Sequence, residues 1–343
     1  MIMTYPSLNH RTLTLIGLII LGIPIMFLVN FQGSLFQNYT QSSTASQPTK
    51  LLETLVGKPT QDYNRLLNIS FNFSMINQVC RENSSVLVLI VVHSAPLNLE
   101  KRLAIRDTWG QVEETKKIVF MIGDPGSPEQ QKKLEAENVL FGDIVQGNFR
   151  DTYRNLTYKH VMVLKYFVYH CPQAKFVLKT DDDVFINWPS MNNFLTYHLF
   201  RFGDRETIYC IIRPPSPVDR RYTKWVVTVD EYPEKVYPQY CLGYVILYTP
   251  EVAFSLYEEA QTSNFFFWID DAFITGILFK NLNYTHTDIA NLLLLDQSLY
   301  AISNHFTNVT IKPFLFRLMD KMQMQTVWKY VSTHEAPKNI FAL

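Results

Sequence analysis

The chain has 343 residues, of which 47% are hydrophobic and 14% aromatic. This composition excludes a disordered protein and allows one large or two small hydrophobic cores. Lysine plus arginine and aspartate plus glutamate each total 31, so the formal net charge is zero. The charge balance excludes a global field that would attract the chain to nucleic acid or to an anionic membrane surface.

A charge-free segment near the N-terminus is long enough to cross a membrane. Residues 13–31 (LTLIGLIILGIPIMFLVNF) match the hydrocarbon thickness of a bilayer when helical. The end of this segment lacks the small residues of a cleavage site, which favours an uncleaved anchor over the alternative of a cleaved signal peptide. Arg11 favours a cytoplasmic N-terminus. We therefore expect a cytoplasmic tail over residues 1–12, a transmembrane signal-anchor over 13–31 and a type II orientation.

The segment after the anchor has the composition of a stem. Residues 32–50 are rich in Ser, Thr, Gln and Asn and have no apolar periodicity. We expect the stem to cover 32–79 and a folded lumenal domain to cover 80–343. Exposure to the glycosylation machinery is indicated by seven N-x-S/T sequons, at Asn38, Asn68, Asn72, Asn83, Asn155, Asn283 and Asn308. The four cysteines are compatible with two disulfides in an oxidising lumen, the alternative being buried free thiols.

From residue 85 onward, apolar runs of strand length alternate with longer amphipathic stretches. The expected strands cover 86–93, 117–123, 143–145, 175–179, 207–213, 225–229 and 243–248. The expected helices cover 97–109, 127–140, 153–170 and 251–260. The alternation predicts an α/β fold whose mostly parallel sheet has helices on both faces. Ligands of such sheets bind at the carboxyl ends of strands.

Three consecutive carboxylates follow one of the predicted strands. In FVLKTDDDVFIN (176–187), Asp181 and Asp183 are two residues apart, so their oxygens can share one divalent cation. A solvated turn or a helix cap is the alternative. The apolar residues on both sides of the cluster argue against full solvation, and a buried acidic cluster needs a counter-charge.

A second acidic pair, Asp270 and Asp271, lies in FFFWIDDAFITGI. Apolar neighbours raise the pKa of a carboxyl group, which suits a general base. Asp270 is expected to cap a helix over 272–282, and Asp271 is the candidate for a functional role.

A basic pair lies near the end of the first predicted strand. Arg102 and Arg106 are at positions i and i+4, on one face of a predicted helix. They can bind phosphates bidentately. The alternative is ion pairing with Glu100, Asp107 or another carboxylate.

Six stretches, taken in order, resemble the β-1,3-galactosyltransferase family, which includes β-1,3-N-acetylglucosaminyltransferases and is related to the Fringe enzymes. They are KRLAIRDTWG (101–110), VFMIGDP (119–125), ENVLFGDIVQGNFRDTYRNLTYKH (137–160), FVLKTDDDVFIN (176–187), YPQYCLGYV (237–245) and WIDDAFITGIL (268–278). The resemblance implies a single-pass type II Golgi membrane enzyme with a lumenal GT-A domain, a Rossmann-like sheet with flanking helices. It also implies a UDP-sugar donor and a divalent metal, usually Mn²⁺.

The resemblance assigns roles to particular residues. By position, Asp181 and Asp183 match the family's D-x-D motif, with Asp183 as the direct metal ligand and Asp181 nearer the nucleotide ribose or the sugar. Asp182 is expected to position the loop beside the donor. Asp271 matches the acid of the E-D-V motif, the inferred catalytic base. His305, in AISNHF, lies about where family members carry a late histidine that can complete the metal site, and an ordinary structural histidine is the alternative. The predicted donor-binding residues are Asp181, Asp182, Arg102 and Arg106.

Two segments depart from the family pattern. Asp270 and Ala272 flank Asp271, where the family usually has Glu and Val. The segment YPQYCLGYVILY lacks the Ser and the second Gly of the family's YPxYCSGxGYV, which puts sugar specificity in doubt. Cys171, which follows the third stretch, is also matched, and Cys241 lies in the fifth stretch, so the resemblance favours the pairs Cys171–Cys241 and Cys80–Cys210.

The leading interpretation is an inverting β-1,3-glycosyltransferase that moves galactose from UDP-galactose to a glycan acceptor on protein or lipid. One alternative uses UDP-N-acetylglucosamine on the same fold. Two others are a catalytically inactive, membrane-anchored glycan-binding pseudoenzyme and a surface receptor, neither of which needs a metal-dependent nucleotide site. The intact D-x-D motif and Asp271 argue against them. No nucleic-acid partner is expected.

Overall fold

The computed structural model describes residues 63–80, 85–199, 206–221, 223–294, 315–316 and 320–333. Its strands are β1 (Arg65–Leu66), β2 (Ile69–Ser70), β3 (Phe73–Met75), β4 (Val88–His93), β5 (Lys116–Asp124), β6 (Ile144–Arg150), β7 (Phe176–Asp181), β8 (Phe185–Ile186), β9 (Thr207–Arg213), β10 (Ser216–Pro217), β11 (Val236–Tyr237), β12 (Tyr240–Tyr248), β13 (Thr285–Asp288), β14 (Leu293–Leu294) and β15 (Leu315–Phe316). Its α-helices are α1 (Leu99–Asp107), α2 (Pro128–Phe141), α3 (Leu156–His170), α4 (Trp188–Asn193), α5 (Pro250–Thr262), α6 (Asp270–Ala272) and α7 (Lys321–Thr333). Helical turns of other types cover Tyr153–Asn155, Phe194–Leu199, Phe273–Leu278, Phe279–Asn281 and Ala290–Leu292.

Eight strands form one sheet in the order β13-β9-β12-β7-β4-β5-β6-β3. The pairs β7–β4, β4–β5, β5–β6 and β13–β9 are parallel. Only β12 and β3 run against the other strands of this sheet. The predicted α/β fold with a mostly parallel sheet is therefore confirmed.

The sheet is covered on both faces, as the sequence of β4 requires. All six residues of β4 are buried. Val88, Ile90 and Val92 belong to one core with residues of α1, α2 and α7, whereas Leu89 and Val91 belong to the other core with residues of α3 and α5. Side chains alternate between the two faces of a strand, so an uninterrupted apolar run is what a strand between two helical layers needs.

The order of the strands places a crevice beside β4. The chain passes from β4 to β5 and β6 on one side, then returns through α3 to β7 on the other side. Ligands of open α/β sheets bind at such a switch point, outside the carboxyl ends of the strands. His93 at the end of β4 is in register with Asp181 at the end of β7. The acidic triplet is therefore at the switch point.

The folded region begins earlier than predicted. β3 pairs with β6 at the edge of the sheet, and Leu66, Leu67 and Phe71 are buried in the core beside α3. The prediction of a stem up to residue 79 is therefore wrong for residues 63–79. The apolar residues of this segment lie on strands of two or three residues or in the turns between them, which are too short to show a period in the sequence.

The predicted anchor at 13–31, the cytoplasmic tail and the rest of the stem lie outside the described residues. Within the described ranges, no helix combines the length and the apolar character needed to span a membrane.

The expected strand at 225–229 is also absent from the structure, where these residues form part of an irregular loop. The Arg220 guanidinium donates hydrogen bonds to the carbonyls of Val227, Thr228, Tyr232 and Glu234. These carbonyls are satisfied by a side chain instead of a neighbouring strand, which is why β-branched residues here do not form one.

The predicted sequons are only partly available on the surface. Asn68, Asn72 and Asn283 are exposed. The side-chain amide of Asn155 donates to the Arg150 carbonyl at 2.9 Å and is partly buried. The remaining three, Asn38, Asn83 and Asn308, lie outside the described residues.

The disulfides differ from the predicted pairs. They join Cys80 to Cys171 and Cys210 to Cys241. Cys171 precedes β7 and therefore lies at the amino edge of the sheet, as does Cys80 before β4. Because β12 is antiparallel to β7, Cys241 at its start lies at the opposite edge, beside Cys210 of β9. The direction of β12 thus excludes a Cys171–Cys241 bond.

Peptide mapping without reduction should recover the Cys80–Cys171 and Cys210–Cys241 pairs. Replacing both Cys80 and Cys171 by Ala should lower the free energy of unfolding by about 2–5 kcal/mol, because their bond closes a long loop in the unfolded chain. Urea denaturation measures this change. Recovery of a peptide that links Cys171 to Cys241 would contradict the strand order.

Arg102 and Arg106, predicted to bind the donor, are instead used to hold helices together. Arg102 has no exposed surface and donates to both carboxylate oxygens of Glu137, at 2.8 and 2.6 Å. Arg106 donates to both oxygens of Asp143, at 2.8 and 2.7 Å, and to Glu137. The bidentate pairs tie α1 to α2 and to the start of β6, so the ion-pair alternative applies, with carboxylates other than Glu100 and Asp107.

Arg102→Met should lower the free energy of unfolding by about 3–5 kcal/mol, because it leaves the buried Glu137 carboxylate with fewer partners. Urea denaturation of the purified protein measures this loss. Lys133→Ala, which breaks the exposed pair between Lys133 and Glu129 on α2, is the control and should leave the midpoint unchanged. If Arg102→Met had normal stability but bound UDP more weakly, Arg102 would be a donor-binding residue after all.

Candidate active site

A cleft of about 860 Å³ opens at the carboxyl ends of β4 and β7. Both acidic groups singled out in the sequence line it: Asp181, Asp182 and Asp183 on one side and Asp270 and Asp271 on the other. Neither Arg102 nor Arg106 lines the cleft. The fold therefore brings the two acidic groups together and separates them from the two arginines.

The central carboxylate of the triplet faces into the protein. Asp182 is 5% exposed and accepts hydrogen bonds from Ser94, Asn98 and Lys101 at 2.8, 2.8 and 3.0 Å. Its backbone N–H donates to the His93 carbonyl at 3.1 Å. These bonds anchor the loop after β7 to the segment after β4, in agreement with the predicted positioning role. Because both carboxylate oxygens are occupied, Asp182 is a poor candidate for a direct donor contact.

Asp181 and Asp183 face the cleft on either side of Asp182. The Asp181 carboxylate is 37% exposed and accepts from Lys179 at 2.8 Å. The Asp183 carboxylate is 31% exposed and lies 3.6 Å from the Lys101 ammonium. Both retain free oxygen lone pairs toward the cleft.

Two partly exposed carboxylates are a suitable partial site for a divalent cation. Hard cations such as Mg²⁺ and Mn²⁺ are often held by one or two carboxylates, with phosphate and water oxygens completing the coordination. The structure does not bring a third acidic, histidine or cysteine ligand to them from the described parts of the chain. His305, the predicted third ligand, lies outside the described residues.

Lys179 is the buried cation at the centre of the site. Its ammonium is 3% exposed, donates to Asp181 at 2.8 Å and also donates to the Gly243 carbonyl. Burial lowers its pKa, but the charges of Asp181, Asp270 and Asp271 outweigh burial and raise the pKa above its usual value. Lys179 is therefore charged and supplies the counter-charge that the buried acidic cluster needs.

Asp271 is held by two backbone donors. Its carboxylate accepts from the Ala272 N–H at 2.8 Å and from the Gly243 N–H at 3.2 Å. A Cβ on Gly243 would lie 3.2 Å from the Asp271 Cβ, so the close approach of the two backbones favours glycine. One carboxylate oxygen is bonded by each donor, and each oxygen keeps a second lone pair.

Asp270 belongs to a buried hydrogen-bond chain and does not cap the helix. It is the first residue of α6, and its carboxylate lies 2.8 Å from His160 Nδ1, while His160 Nε2 lies 2.7 Å from the Tyr248 hydroxyl. Burial lowers the pKa of His160, so the ring is neutral at pH 7. We assign its proton to Nδ1, because an ionised carboxylate can only accept, which leaves Nε2 to accept from Tyr248.

The two neighbouring carboxyl groups have opposite pKa shifts. Burial raises the pKa of Asp270, but the hydrogen bond from His160 and the charge of Lys179 outweigh it and hold the pKa below its usual value. Burial and the negative charge of Asp270 raise the pKa of Asp271 to about 7. Divergent pKa values in adjacent groups are typical of acid–base sites, and a carboxylate with a pKa near 7 is a strong candidate for a general base.

Several residues of the site were not predicted from the sequence. Lys179 interrupts an apolar strand two residues before Asp181, and this spacing puts both side chains on one face of the strand. The sequence could therefore have predicted that Lys179 pairs with Asp181. His160 and Lys159 lie within the matched RNLTYKH stretch, but nothing in a helical pattern shows that they are fully or nearly buried. His93 lines the cleft, is 7% exposed, and its Nε2 has no hydrogen-bond partner within the described structure.

The altered segment YPQYCLGYV forms one wall of the cleft. It lies on β12, where the pairing with β9 changes register between Cys241 and Ile246. Leu242 and Gly243 fall within this irregularity and line the cleft. The departure from the family pattern is therefore at a position where it can change what the cleft accepts.

The chain is similar to curated glycosyltransferases. Lactosylceramide 1,3-N-acetyl-beta-D-glucosaminyltransferase A of Xenopus laevis is 34% identical over 216 residues, covering 60% of this chain and 57% of the relative. Beta-1,3-galactosyltransferase 5 of Pan troglodytes is 33% identical over 210 residues, covering 60% of this chain and 68% of the relative. The chain thus matches little more than half the length of the first of these relatives.

A solved structure, the bifunctional glycosyltransferase WbbM in its apo form, aligns with a TM-score of 0.38 and 12% identity over 76% of this chain and 51% of that chain. This similarity is too weak to add to the family assignment. The sequence model of the galactosyltransferase family matches residues 100–290, which is more than half of the chain and includes both acidic groups of the cleft. The chain therefore belongs to the galactosyltransferase family.

Proposed function

We propose that the protein is an inverting β-1,3-glycosyltransferase of GT-A type that transfers a sugar from a UDP-sugar to a hydroxyl of a glycan acceptor. The observation that supports the proposal is that one cleft contains both kinds of carboxylate that the reaction needs. Asp181 and Asp183 are partly exposed and suit a metal–diphosphate complex, and Asp271, with a pKa of about 7, suits a general base. Membership of the galactosyltransferase family supports this class of reaction over a receptor or a pseudoenzyme.

The reaction requires one bond to form and one to break at the anomeric carbon of the donor. The acceptor oxygen forms a bond to that carbon as the bond to the diphosphate breaks, and UDP leaves. The acceptor proton passes to a carboxylate oxygen of Asp271, whose remaining lone pairs face the cleft while the Gly243 and Ala272 N–H groups fix its orientation. A single displacement inverts the configuration of the anomeric carbon.

Asp183 and Asp181 are the residues that would hold the cation. When bound, Mn²⁺ would neutralise the charge that develops on the leaving diphosphate, so a carboxylic acid is not needed to protonate it. Lys179 holds Asp181 in place with a hydrogen bond and opposes the rise in the pKa of Asp181 that burial causes. Asp182 holds the loop against the end of β4.

The donor sugar and the acceptor are proposed from the family resemblance and from the names of the relatives. Galactose from UDP-galactose is the proposed donor sugar, and the names of the relatives support UDP-N-acetylglucosamine as the alternative to test beside it. The acceptor is proposed to be a terminal sugar on a glycoprotein or glycolipid. We propose a single-pass type II location in the Golgi membrane with the catalytic domain in the lumen, from the predicted anchor and the sequons.

Two variants separate metal binding from chemistry. Asp183→Ala should abolish Mn²⁺-dependent UDP binding, measured by calorimetry on the full-length chain in detergent. Asp271→Asn should leave UDP affinity unchanged and lower the transfer rate roughly 10²–10⁴-fold, because it removes only the general base. Transfer is measured by UDP release from a panel of UDP-sugars with glycan acceptors.

Asp107→Asn is the matched control, since Asp107 is exposed and lies outside the cleft, and it should change neither measurement. Normal transfer by Asp271→Asn would show that another group is the base. If the folded wild-type protein released no UDP from any sugar nucleotide in the panel, the enzyme proposal would be wrong.

The transfer rate should depend on pH through Asp271. Because this group accepts a proton only when ionised, kcat should fall about tenfold per pH unit below its pKa of about 7. Asp270→Asn removes the neighbouring negative charge that raises this pKa, so the acid limb of the profile should move to lower pH. A limb that stays in place in Asp270→Asn, or that moves to higher pH, would contradict the assignment.

A further inference from the structure

A loop without long strands or helices, described over 214–221 and 223–239, forms the outer wall of the cleft. It connects β9 to β12 and is closed at its base by the antiparallel pair β10–β11. Arg220 binds four carbonyls inside it, and the Val227 N–H donates to the Asp219 carbonyl at 2.9 Å. Long loops held in place by their own side chains are frequently functional.

This loop presents a large aromatic side chain to the cleft. Trp225 lines the cleft and is 48% exposed, although the loop around it is well bonded. The Lys224 ammonium lies 4.4 Å from the centre of its ring. A contiguous group of half-exposed aromatic rings inside a cleft, in contrast to a single exposed ring, is typical of a binding surface.

Trp225 is part of a continuous aromatic wall. Its side chain is close enough to the hydroxyl of Tyr153, which is 47% exposed and also lines the cleft, to affect the pKa of that hydroxyl. Tyr153 in turn lies 5.9 Å from Trp268, measured between ring centroids. Arg154 stacks over Trp268 at 4.5 Å and forms an ion pair with Glu231 of the loop. These contacts fix the loop relative to the start of α3 and leave two half-exposed rings facing the cleft.

We propose that Trp225 and Tyr153 form the binding surface for the acceptor sugar, with the apolar C–H face of a pyranose ring packed against them. This inference rests on the proposed function and names the ligand of one part of the same cleft. Aromatic rings supply a large, rigid contact area at a low cost in side-chain entropy, which suits a ligand with hydroxyl groups at its edges and C–H groups on its faces.

The position of the wall favours the acceptor over the donor. The acceptor hydroxyl must reach the Asp271 carboxylate, whereas the donor diphosphate must reach Asp181 and Asp183. Tyr153 packs against Trp268, which lies three residues before Asp271 in the same segment, so the wall adjoins the proposed base. The surface that the wall presents is mainly the Trp225 ring and the Tyr153 phenol, with Arg154 paired to Glu231 and the Lys224 ammonium stacked on the indole, and such ring faces suit the C–H face of a sugar.

The experiment compares Trp225→Ala, Trp225→Phe and the control Val229→Ala in the full-length chain in detergent with Mn²⁺. Val229 is 62% exposed on the same loop and does not line the cleft. Binding of lactose, N-acetyllactosamine and methyl β-galactoside is measured by saturation-transfer NMR in the presence of UDP, independently of turnover. UDP affinity, acceptor KM and acceptor-free hydrolysis of the UDP-sugar are measured alongside.

Trp225→Ala should weaken binding of the saccharide and raise its KM about tenfold, which corresponds to about 1.4 kcal/mol. UDP affinity and acceptor-free hydrolysis should stay within about twofold of the wild type, since the donor site is intact. Trp225→Phe should recover most of the loss because it restores a ring, and Val229→Ala should behave as the wild type does.

Other outcomes would overturn the inference. A loss of UDP affinity in Trp225→Ala would show that the Trp225 ring binds the uracil of the donor and not the acceptor sugar. Unchanged saccharide binding in Trp225→Ala, or no binding of any of the three saccharides by the folded wild type, would show that the wall is not an acceptor surface. Saccharide binding that depends on Trp225 in a protein without transfer activity would leave this inference standing while the enzyme proposal failed.

Discussion

One buried ammonium group makes the arrangement of this cleft possible. Lys179 donates hydrogen bonds to the Asp181 carboxylate and to the Gly243 carbonyl, and its charge also interacts with those of Asp270 and Asp271. Three carboxylates brought this close would repel each other strongly in a partly desolvated site, and removing one member of such a cluster leaves the others without compensation. The ends of β7, β12 and α6 can therefore meet only because a charged lysine from β7 is shared among them.

Around this lysine, two adjacent aspartates acquire different properties from their partners. Asp270 receives a hydrogen bond from the neutral ring of His160 and remains ionised, and its charge then makes Asp271 more basic. Successive residues at the start of a helix point in different directions, so one side chain reaches the buried histidine while the other faces the cleft. The aspartate that replaces the family's usual glutamate at 270 is thus an electrostatic partner of Asp271.

The chemistry and the specificity of the cleft reside on different kinds of structure. The carboxylates proposed to hold the metal and to act as the base lie at the end of β7 and at the start of α6, beside residues buried in the core. The walls are formed by the irregular part of β12 around Leu242 and by the loop that carries Trp225. Changes in these walls can alter the ligand without disturbing the reacting groups, as is general for sites built from loops on a rigid scaffold.

Much of the fold was predictable, because strands buried on both faces and amphipathic helices leave strong local patterns. Two predictions were wrong. The predicted strand at 225–229 is a loop because Arg220 binds its carbonyls, and the folded region begins before residue 80 with strands too short to show a period. The disulfide pairs were also wrong, because pairing depends on the direction of β12, which no local pattern contains.

For the candidate site, the sequence by itself determined which carboxylates are available: Asp181, Asp183 and Asp271 each stand at the end of an apolar segment. Only the tertiary structure decided how they are used. Lys179 bonds Asp181, and His160 bonds Asp270, the neighbour of Asp271, from a distant segment of the chain. Arg102 and Arg106, which the sequence offered as donor-binding residues, instead form ion pairs with Glu137 and Asp143. Charge pairing and desolvation depend on distances across the fold, and a single sequence records the residue types without those distances.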